Sequence, residues 1–292
     1  MAFLCPGQGA QSPAMLPMLR ESALAMRLLE QASDLIGDDL RAADERDAAF
    51  FARNDVSAML VSIASITAHE KLAEQPNFYA GYSVGQWTAM HLAGMLSAES
   101  LLNVLVTRAQ MMNATDALKG GMLAVIGLPR EKVEDVLQGI DGYITIANDN
   151  APGQYTLAGD LPSIEKAHEQ LALLKPQKLL RVPVAGAWHS EMVRGAAAPF
   201  LAYLESVALK TPCVPVIGNV TAAPIPADAA TLRATLAAHI HSPVRWADSI
   251  RYLIAQGVET CVEVGYESTL TKFGFFIDRS CRHIHWSKLC AA

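Results

Sequence analysis

The sequence lacks the features that mark several classes of protein. Its five cysteines are odd in number and form no C-x-x-C pair, which argues against a disulfide framework or a zinc site. No apolar run reaches the roughly 18 residues of a membrane-spanning helix, so no membrane segment is expected. The chain has neither a G-x-G-x-x-G motif nor a P-loop lysine, and its net charge of −6 argues against a nucleic-acid partner.

The composition is that of a protein with a packed core. Of the 292 residues, 51% are hydrophobic and 18% are charged, enough for one large domain or two modest ones. The apolar segment Met1–Cys5 is too short for a signal peptide and ends at Pro6-Gly7. We therefore expect a cytoplasmic protein with reduced cysteines.

The segment Gly81-Tyr82-Ser83-Val84-Gly85 has the pattern G-x-S-x-G. An apolar stretch suited to a buried strand precedes it, and a stretch suited to a helix follows it. A strand, a sharp turn and a helix are the context in which this motif exposes a nucleophilic serine. Ser83 is therefore a candidate nucleophile, although five residues can match the pattern by chance.

Two other segments leave alternatives open. Pro6–Gln11, a glycine-rich turn after the predicted strand Ala2–Cys5, could hold an oxyanion or a phosphate, or be a plain turn. Arg108 comes near the end of an apolar helix for which Ser97 is the predicted N-cap. It is either a solvated residue that stabilises the helix end or a buried cation that awaits a carboxylate, and the local sequence favours the first.

The order of predicted elements indicates an insertion within a larger unit. Residues 120–185 show the order βαββαβ, which is typical of a ferredoxin-like unit. Residues 1–119 and 186–292 would then form the main domain. In it we expect a helix over 15–36, another with Asn54 as N-cap, and a last strand over 257–265, followed by a helix and a polar tail.

A serine nucleophile needs a base, and the chain has eight histidines. His189 is the favoured candidate because it lies in a loop of small residues between a strand and a helix, where a loop can reach the strand ends. His239 and His241 flank a predicted helix end, and His283 lies in the predicted polar tail. The pattern alone leaves the choice open.

Six segments in the same order resemble those of one family, the malonyl-CoA:acyl-carrier-protein transacylases, which include the acyltransferase domains of polyketide synthases. They are Pro6–Gln11 (PGQGxQ), Gly81–Gln86 (GHSxGE), Arg108, Gly186–Ser190 (GAFHS), Asn219–Thr221 and Ser242–Trp246. The resemblance covers essentially the whole chain. The GAFHS-like form is associated with malonyl rather than methylmalonyl transfer.

The resemblance implies an α/β fold, with a hydrolase-like core that holds a ferredoxin-like insertion. It also implies a ping-pong transfer of malonyl from malonyl-CoA to an acyl carrier protein, without metal or cofactor. The implied roles are nucleophile for Ser83, base for His189, oxyanion donors for the backbone of Gln8 and Val84, carboxylate partner for Arg108, and histidine-orienting carbonyl for the backbone near Arg245.

The chain departs from the family pattern at Tyr82, where the family has histidine, and at Gln86, where it has glutamate. Both changes are expected at the pocket wall, where they would affect acyl size and carrier choice. The implied pathway is fatty-acid synthesis or malonate decarboxylation, in the latter case as a subunit of a larger complex. A trans-acting polyketide acyltransferase, a serine thioesterase and a silent scaffold are the alternatives.

Overall fold

The computed structural model describes residues 1–9 and 11–290, so Ala10 of the predicted glycine-rich turn lies outside the described residues. The described strands form two sheets. The strands are β1 (Ala2–Cys5), β2 (Phe78–Gly81), β3 (Gly120–Ile126), β4 (Ile144–Ala151), β5 (Gln154–Asp160), β6 (Lys178–Arg181), β7 (Val216–Ile217), β8 (Thr260–Glu263) and β9 (Arg282–His285).

Helices cover these sheets and connect their strands. The α-helices are α1 (Leu16–Arg20), α2 (Ala23–Ile36), α3 (Ala48–Ala52), α4 (Asn54–Glu70), α5 (Gly85–Leu92), α6 (Ala98–Asn113), α7 (Arg130–Gln138), α8 (Leu161–Leu173), α9 (Ala197–Ser206), α10 (Ala229–Ala238), α11 (Trp246–Ala255), α12 (Thr269–Ile277) and α13 (Ser287–Cys290). Short 3-10 helices span Pro13–Met15, Leu40–Glu45, Asp116–Lys119 and Glu191–Ala196. None of the described helices is long and apolar enough to cross a membrane.

The larger sheet is parallel and has the order β7-β2-β1-β8-β9. Successive side chains of a strand point to opposite faces, and in the central strand β1 all four are buried, so this part of the sheet is covered on both faces. In β1, Phe3 and Cys5 join the core cluster on one face, whereas Ala2 and Leu4 join the cluster on the other. Ser83 follows the carboxyl end of β2, the edge of an open α/β sheet at which sites form.

The smaller sheet is antiparallel, with the order β4-β5-β3-β6. Together with α7 and α8, this order is that of a ferredoxin-like βαββαβ unit. The predicted division at 119/120 and 185/186 stays a prediction. β4 of the smaller sheet also pairs with Val244, which comes just before α11: the Val244 N–H donates to the Ala147 carbonyl (2.9 Å), and its carbonyl accepts from the Asp149 N–H (3.0 Å).

Three local predictions were wrong. The helix expected over 15–36 breaks before α2, where Ser22 is the N-cap and accepts from the Ala25 N–H. Asn54 is the first residue of α4 rather than its cap, because its side chain is bonded to Gln8 instead. The tail after α12 contains β9, whose main chain pairs with β8 at the edge of the parallel sheet although its side chains are largely polar.

Candidate active site

The turn between β2 and α5 holds Ser83 in a strained conformation, with a φ of 52°. Glycine is required on both sides, since a Cβ at Gly81 would overlap the Gly85 carbonyl and one at Gly85 would overlap the Cys5 carbonyl. Because the serine turn approaches the end of β1 this closely, the Tyr82 N–H donates to the Cys5 carbonyl at 2.9 Å. The glycine-rich turn after β1 is thereby packed directly against the serine.

Ser83 and His189 are brought together over 106 residues of sequence. The Ser83 Oγ lies 2.6 Å from the His189 Nε2. His189 is itself in the left-handed region, with a φ of 56°, in a loop held by a 2.9 Å bond from the Ala187 N–H to the Ala117 carbonyl. This is the contact that a serine needs to pass its proton to a base.

Two backbone carbonyls orient the His189 ring. Its Nδ1–H points between the carbonyls of His239 and Ser242, each at 3.1 Å, which leaves Nε2 unprotonated and able to accept the serine proton. The carbonyl expected near Arg245 is thus that of Ser242, in the same segment, and the Arg245 carbonyl itself does not take this role. The Arg245 carbonyl begins α11, where it accepts from the Ser249 N–H at 3.0 Å and from the Ser249 Oγ at 2.9 Å.

Asn219 is a residue to which sequence reasoning gave no role, and it holds the serine turn in place. Its Oδ1 accepts from the Ser83 N–H at 2.7 Å, and its Nδ2 donates to the Gly81 carbonyl at 2.6 Å. Its own N–H donates to the Gln86 Oε1 at 2.7 Å. One buried side chain therefore fixes the strand before the serine and the serine itself. The only hint of this role in the sequence was the family-like segment Asn219–Thr221, which lies between β7 and α10.

His239 lies between Asn219 and His189. Its buried ring lies 5.3 Å from that of His189 between centroids, and its Nε2–H donates to the Asn219 Oδ1 at 3.1 Å. Burial, and then the charges of His189 and Arg108, hold the pKa of His239 well below its usual range, so the ring is neutral. The sequence placed His239 only at a helix end, which is correct but conceals that its side chain turns inward.

The backbone of Gln8 and Val84 lies beside the serine. Among the described residues, neither amide N–H has a hydrogen-bond acceptor within the chain. The Gln8 side chain fixes its loop by donating to the Asn54 carbonyl at 3.0 Å and to the Asn54 Oδ1 at 2.6 Å. Val84 lies at the N-terminus of α5, where the helix dipole favours negative charge. Both N–H groups are thus free to act as oxyanion donors.

Arg108 is buried, contrary to the solvated position that its local sequence favoured. Only 2% of the residue is exposed, and it makes no hydrogen bond or ion pair with the described residues. Burial lowers its pKa from 12.5 to about 10. A buried guanidinium without a counter-ion is costly, so this position favours an anionic ligand.

The charge of Arg108 affects the pKa of His189. The pKa of His189 is lowered to about 3, first by burial and second by the positive charge of Arg108, against the raising effect of the two carbonyls. His189 is therefore neutral near pH 7 and is available as a base. Any anion bound at Arg108 would raise this pKa and strengthen the base.

The family model described as acyl transferase domain matches residues 2–275. The chain belongs to this acyl transferase family. The family predicted from the motifs and the predicted mixed α/β fold are both confirmed by the relatives and solved structures that follow.

The malonyl CoA-acyl carrier protein transacylase of Bacillus subtilis (strain 168) is 31% identical over 274 residues, which are 91% of this chain and 86% of that protein. The polyketide biosynthesis protein ThaF of Burkholderia thailandensis is 36% identical over 283 residues, which are 92% of this chain but only 23% of ThaF. A malonyl-transacylase solved with the type II polyketide synthase acyl-carrier protein AntF has a TM-score of 0.88 at 25% identity and covers 97% of this chain and 94% of that one.

In this acyl transferase, the two departures from the family motif have different positions. Tyr82 lines the cavity of about 60 Å³ at Ser83, and its hydroxyl donates to the Asn150 Oδ1 of β4 at 2.7 Å. Gln86 is 1% exposed and does not line that cavity, so its expected place at the pocket wall was wrong. Its amide instead braces the backbone of Asn219.

The cavity walls come from both sheets of the acyl transferase. Around Ser83 they are formed by Gln8, Tyr82, Met122, Asn148, Thr156, Val182, Val184, Trp188 and His189. A neighbouring cavity of about 190 Å³ shares Gln8, Tyr82 and Thr156 with it and extends to Phe273. An acyl thioester that reaches Ser83 therefore passes between the parallel and the antiparallel sheet.

Proposed function

We propose that the protein transfers a malonyl group from malonyl-CoA to the phosphopantetheine thiol of an acyl carrier protein through a malonyl ester on Ser83. The observation that carries the proposal is the combination of a 2.6 Å Ser83–His189 contact with a buried, unpaired Arg108 whose charge acts on the same histidine. The first supplies a nucleophile and its base. The second supplies a partner for the carboxylate that distinguishes malonyl from acetyl.

Acylation begins when His189 Nε2 takes the Ser83 proton and the Oγ attacks the thioester carbonyl. The negative charge that develops on the carbonyl oxygen is held by the N–H groups of Gln8 and Val84; loss of one such donor costs about 2.7–4 kcal/mol. The tetrahedral intermediate collapses, the C–S bond breaks, and the imidazolium returns its proton to the CoA thiolate. The carrier thiol then attacks the serine ester by the same steps in reverse.

In this mechanism, binding of the malonyl carboxylate raises the pKa of His189, which acts as the base. The free enzyme keeps the pKa of His189 low partly through the charge of Arg108. A malonyl carboxylate paired with Arg108 cancels that charge and raises the basicity of His189 while the substrate is bound. An uncharged acyl group leaves both effects in place, so it binds beside an unpaired cation and meets a weaker base.

Ser83→Ala tests the proposed nucleophile. We expect intact-protein mass spectrometry to find a malonyl adduct on the wild-type protein and on the control Ser206→Ala, which changes an exposed serine, but none on Ser83→Ala. A malonyl adduct on the Ser83→Ala protein would contradict the proposal. Release of the acyl group to water as fast as to a holo carrier would identify a thioesterase instead.

The carrier is the part of the proposal on which the relatives differ, since the ThaF name refers to polyketide biosynthesis and the Bacillus subtilis name refers to no pathway. A fatty-acid carrier, a polyketide carrier and the carrier subunit of malonate decarboxylase should be compared at equal concentration. We expect the physiological carrier to have the highest kcat/KM in the second half-reaction. Equal rates with all three would contradict a dedicated carrier.

A further inference from the structure

Two cysteines and a histidine meet at the edge of the parallel sheet, away from Ser83. Cys261 lies on β8, Cys281 directly precedes β9, and His283 lies on β9. The strand register pairs Cys261 with His283, so the two side chains are neighbours across the sheet. Both sulfurs are buried, and the sulfurs and a ring nitrogen of His283 all lie within 4.8 Å of one another.

The spacing of the two sulfurs fits a tetrahedral metal. Cys261 Sγ and Cys281 Sγ are 3.7 Å apart. Two thiolates bound to zinc at about 2.3 Å with a tetrahedral angle are about 3.8 Å apart. In a disulfide the two sulfurs would be only about 2.05 Å apart, and His283 would take no part in the bond.

The Nδ1 atom of His283 is buried, and its lone pair has no hydrogen-bond donor among the described residues. Its Nε2–H donates to the Asp278 carbonyl at 2.9 Å, so Nδ1 carries the lone pair, and Nδ1 is buried without a partner among the described residues. A hydrogen bond from the second ring nitrogen to a backbone carbonyl is the usual way in which a metal-bound histidine is oriented.

Gly274 of α12 does not cover that lone pair. A Cβ added at Gly274 would be nearly as close to the His283 Cγ and Cε1, at 2.5 and 2.6 Å, as to Nδ1. That is the position of an atom above the ring face, whereas an atom in line with the lone pair would be much farther from both carbons. The glycine therefore lies against the ring face and not in line with the Nδ1 lone pair.

We propose that Cys261, Cys281 and His283 bind a structural zinc ion, with a water molecule in the fourth position. Binding would release the two thiol protons, and two thiolates with a neutral imidazole then balance the charge of Zn²⁺ within the buried site. Soft sulfur and imidazole ligands suit zinc rather than magnesium or calcium. The sequence concealed this set because the ligands are brought together by strand pairing and not by a C-x-x-C segment.

We expect the ion to hold α12 in position and to take no direct part in the reaction at Ser83. Cys261 is near the amino end of β8, where it pairs with Ala2, whereas Ser83 follows the carboxyl end of β2. The ligands close a loop from 261 to 283 that contains the whole of α12. Leu270 and Phe273 of α12 line the cavity next to the active site, so the ion would hold one wall of that cavity in position.

Metal titration of the full, reduced chain tests the proposal without any variant. After treatment with a chelator, Co²⁺ should bind one ion per chain and give the thiolate charge-transfer and tetrahedral visible bands. Zn²⁺ should displace the Co²⁺ and raise the melting temperature. Absence of these bands, or no Zn²⁺ uptake in competition with a chromophoric chelator, would overturn the proposal.

Cys261→Ala, Cys281→Ala and His283→Ala identify the ligands. Each should weaken Zn²⁺ binding by more than the roughly 10- to 100-fold that loss of an outer-shell partner costs. The control Cys213→Ala, which changes an exposed cysteine, should keep the wild-type affinity. Wild-type affinity in the Cys261→Ala and Cys281→Ala proteins would refute the assignment. Ser83 acylation by metal-free wild type at 25 °C would show that the two proposals stand separately.

Discussion

Arg108→Met removes the buried charge while keeping most of the side-chain volume, and it separates substrate recognition from stability. The fall in the Arg108 pKa from 12.5 to about 10 corresponds to about 3 kcal/mol of unfavourable burial. A bound carboxylate would relieve that cost and an acetyl group would not. At about 1.4 kcal/mol per decade, the wild-type enzyme should prefer malonyl-CoA over acetyl-CoA by about 100-fold from this interaction alone.

The assay is the rate of acyl-enzyme formation on Ser83 with each CoA ester, expressed as the ratio of kcat/KM values. The ratio should fall by about 100-fold in Arg108→Met, mainly through loss of malonyl transfer. Since an unpaired buried cation is removed, the melting temperature should stay the same or rise. Arg251→Met, at an exposed arginine, is the control. An unchanged ratio together with a lower melting temperature would refute the reasoning and leave Arg108 a structural residue.

Two further predictions concern the base and the serine turn. Because the pKa of His189 in the free enzyme is below its ordinary value of 6.5, kcat/KM for acylation should stay constant from pH 8 to below pH 6.5. The inflection should move to higher pH in Arg108→Met, where a depressing charge is absent. A wild-type inflection at or above pH 6.5 would contradict this. Asn219→Ala should lower kcat by about 10²-fold or more with little change in KM, because loss of the hydrogen bond to the Ser83 N–H misplaces a reacting group. An unchanged kcat would show that the serine turn keeps its geometry without the Asn219 side chain.

The sequence was sufficient where local chemistry dictates structure. G-x-S-x-G between a strand and a helix predicted the position of Ser83, and the small-residue loop predicted that His189 could reach it. The order βαββαβ predicted the strand sequence of the antiparallel sheet. In each case the signal is a local motif or the order of consecutive elements, and tertiary packing completes it.

The sequence was insufficient where long-range packing decides the outcome. The burial of Arg108 depends on what covers the end of α6, whereas its local pattern favoured an exposed helix end. The carbonyls that orient His189 belong to His239 and Ser242 rather than Arg245, because any of several residues in that loop could present one. The role of Asn219 appears only when β2 and the segment after β7 are brought side by side.

His189 is oriented by backbone carbonyls rather than by a carboxylate, and this arrangement is linked to the charge of Arg108. A buried aspartate at Nδ1 would raise the pKa of the histidine and would also offset the charge of an arginine whose field reaches that ring. Two neutral carbonyls fix the tautomer of His189 without supplying a negative charge. Under the proposed function, Arg108, which has no partner among the described residues, stays uncompensated until a substrate brings its own carboxylate. An uncharged group that orients His189 and an arginine without a counter-ion would then be two parts of one arrangement, in which the acyl group supplies the anion.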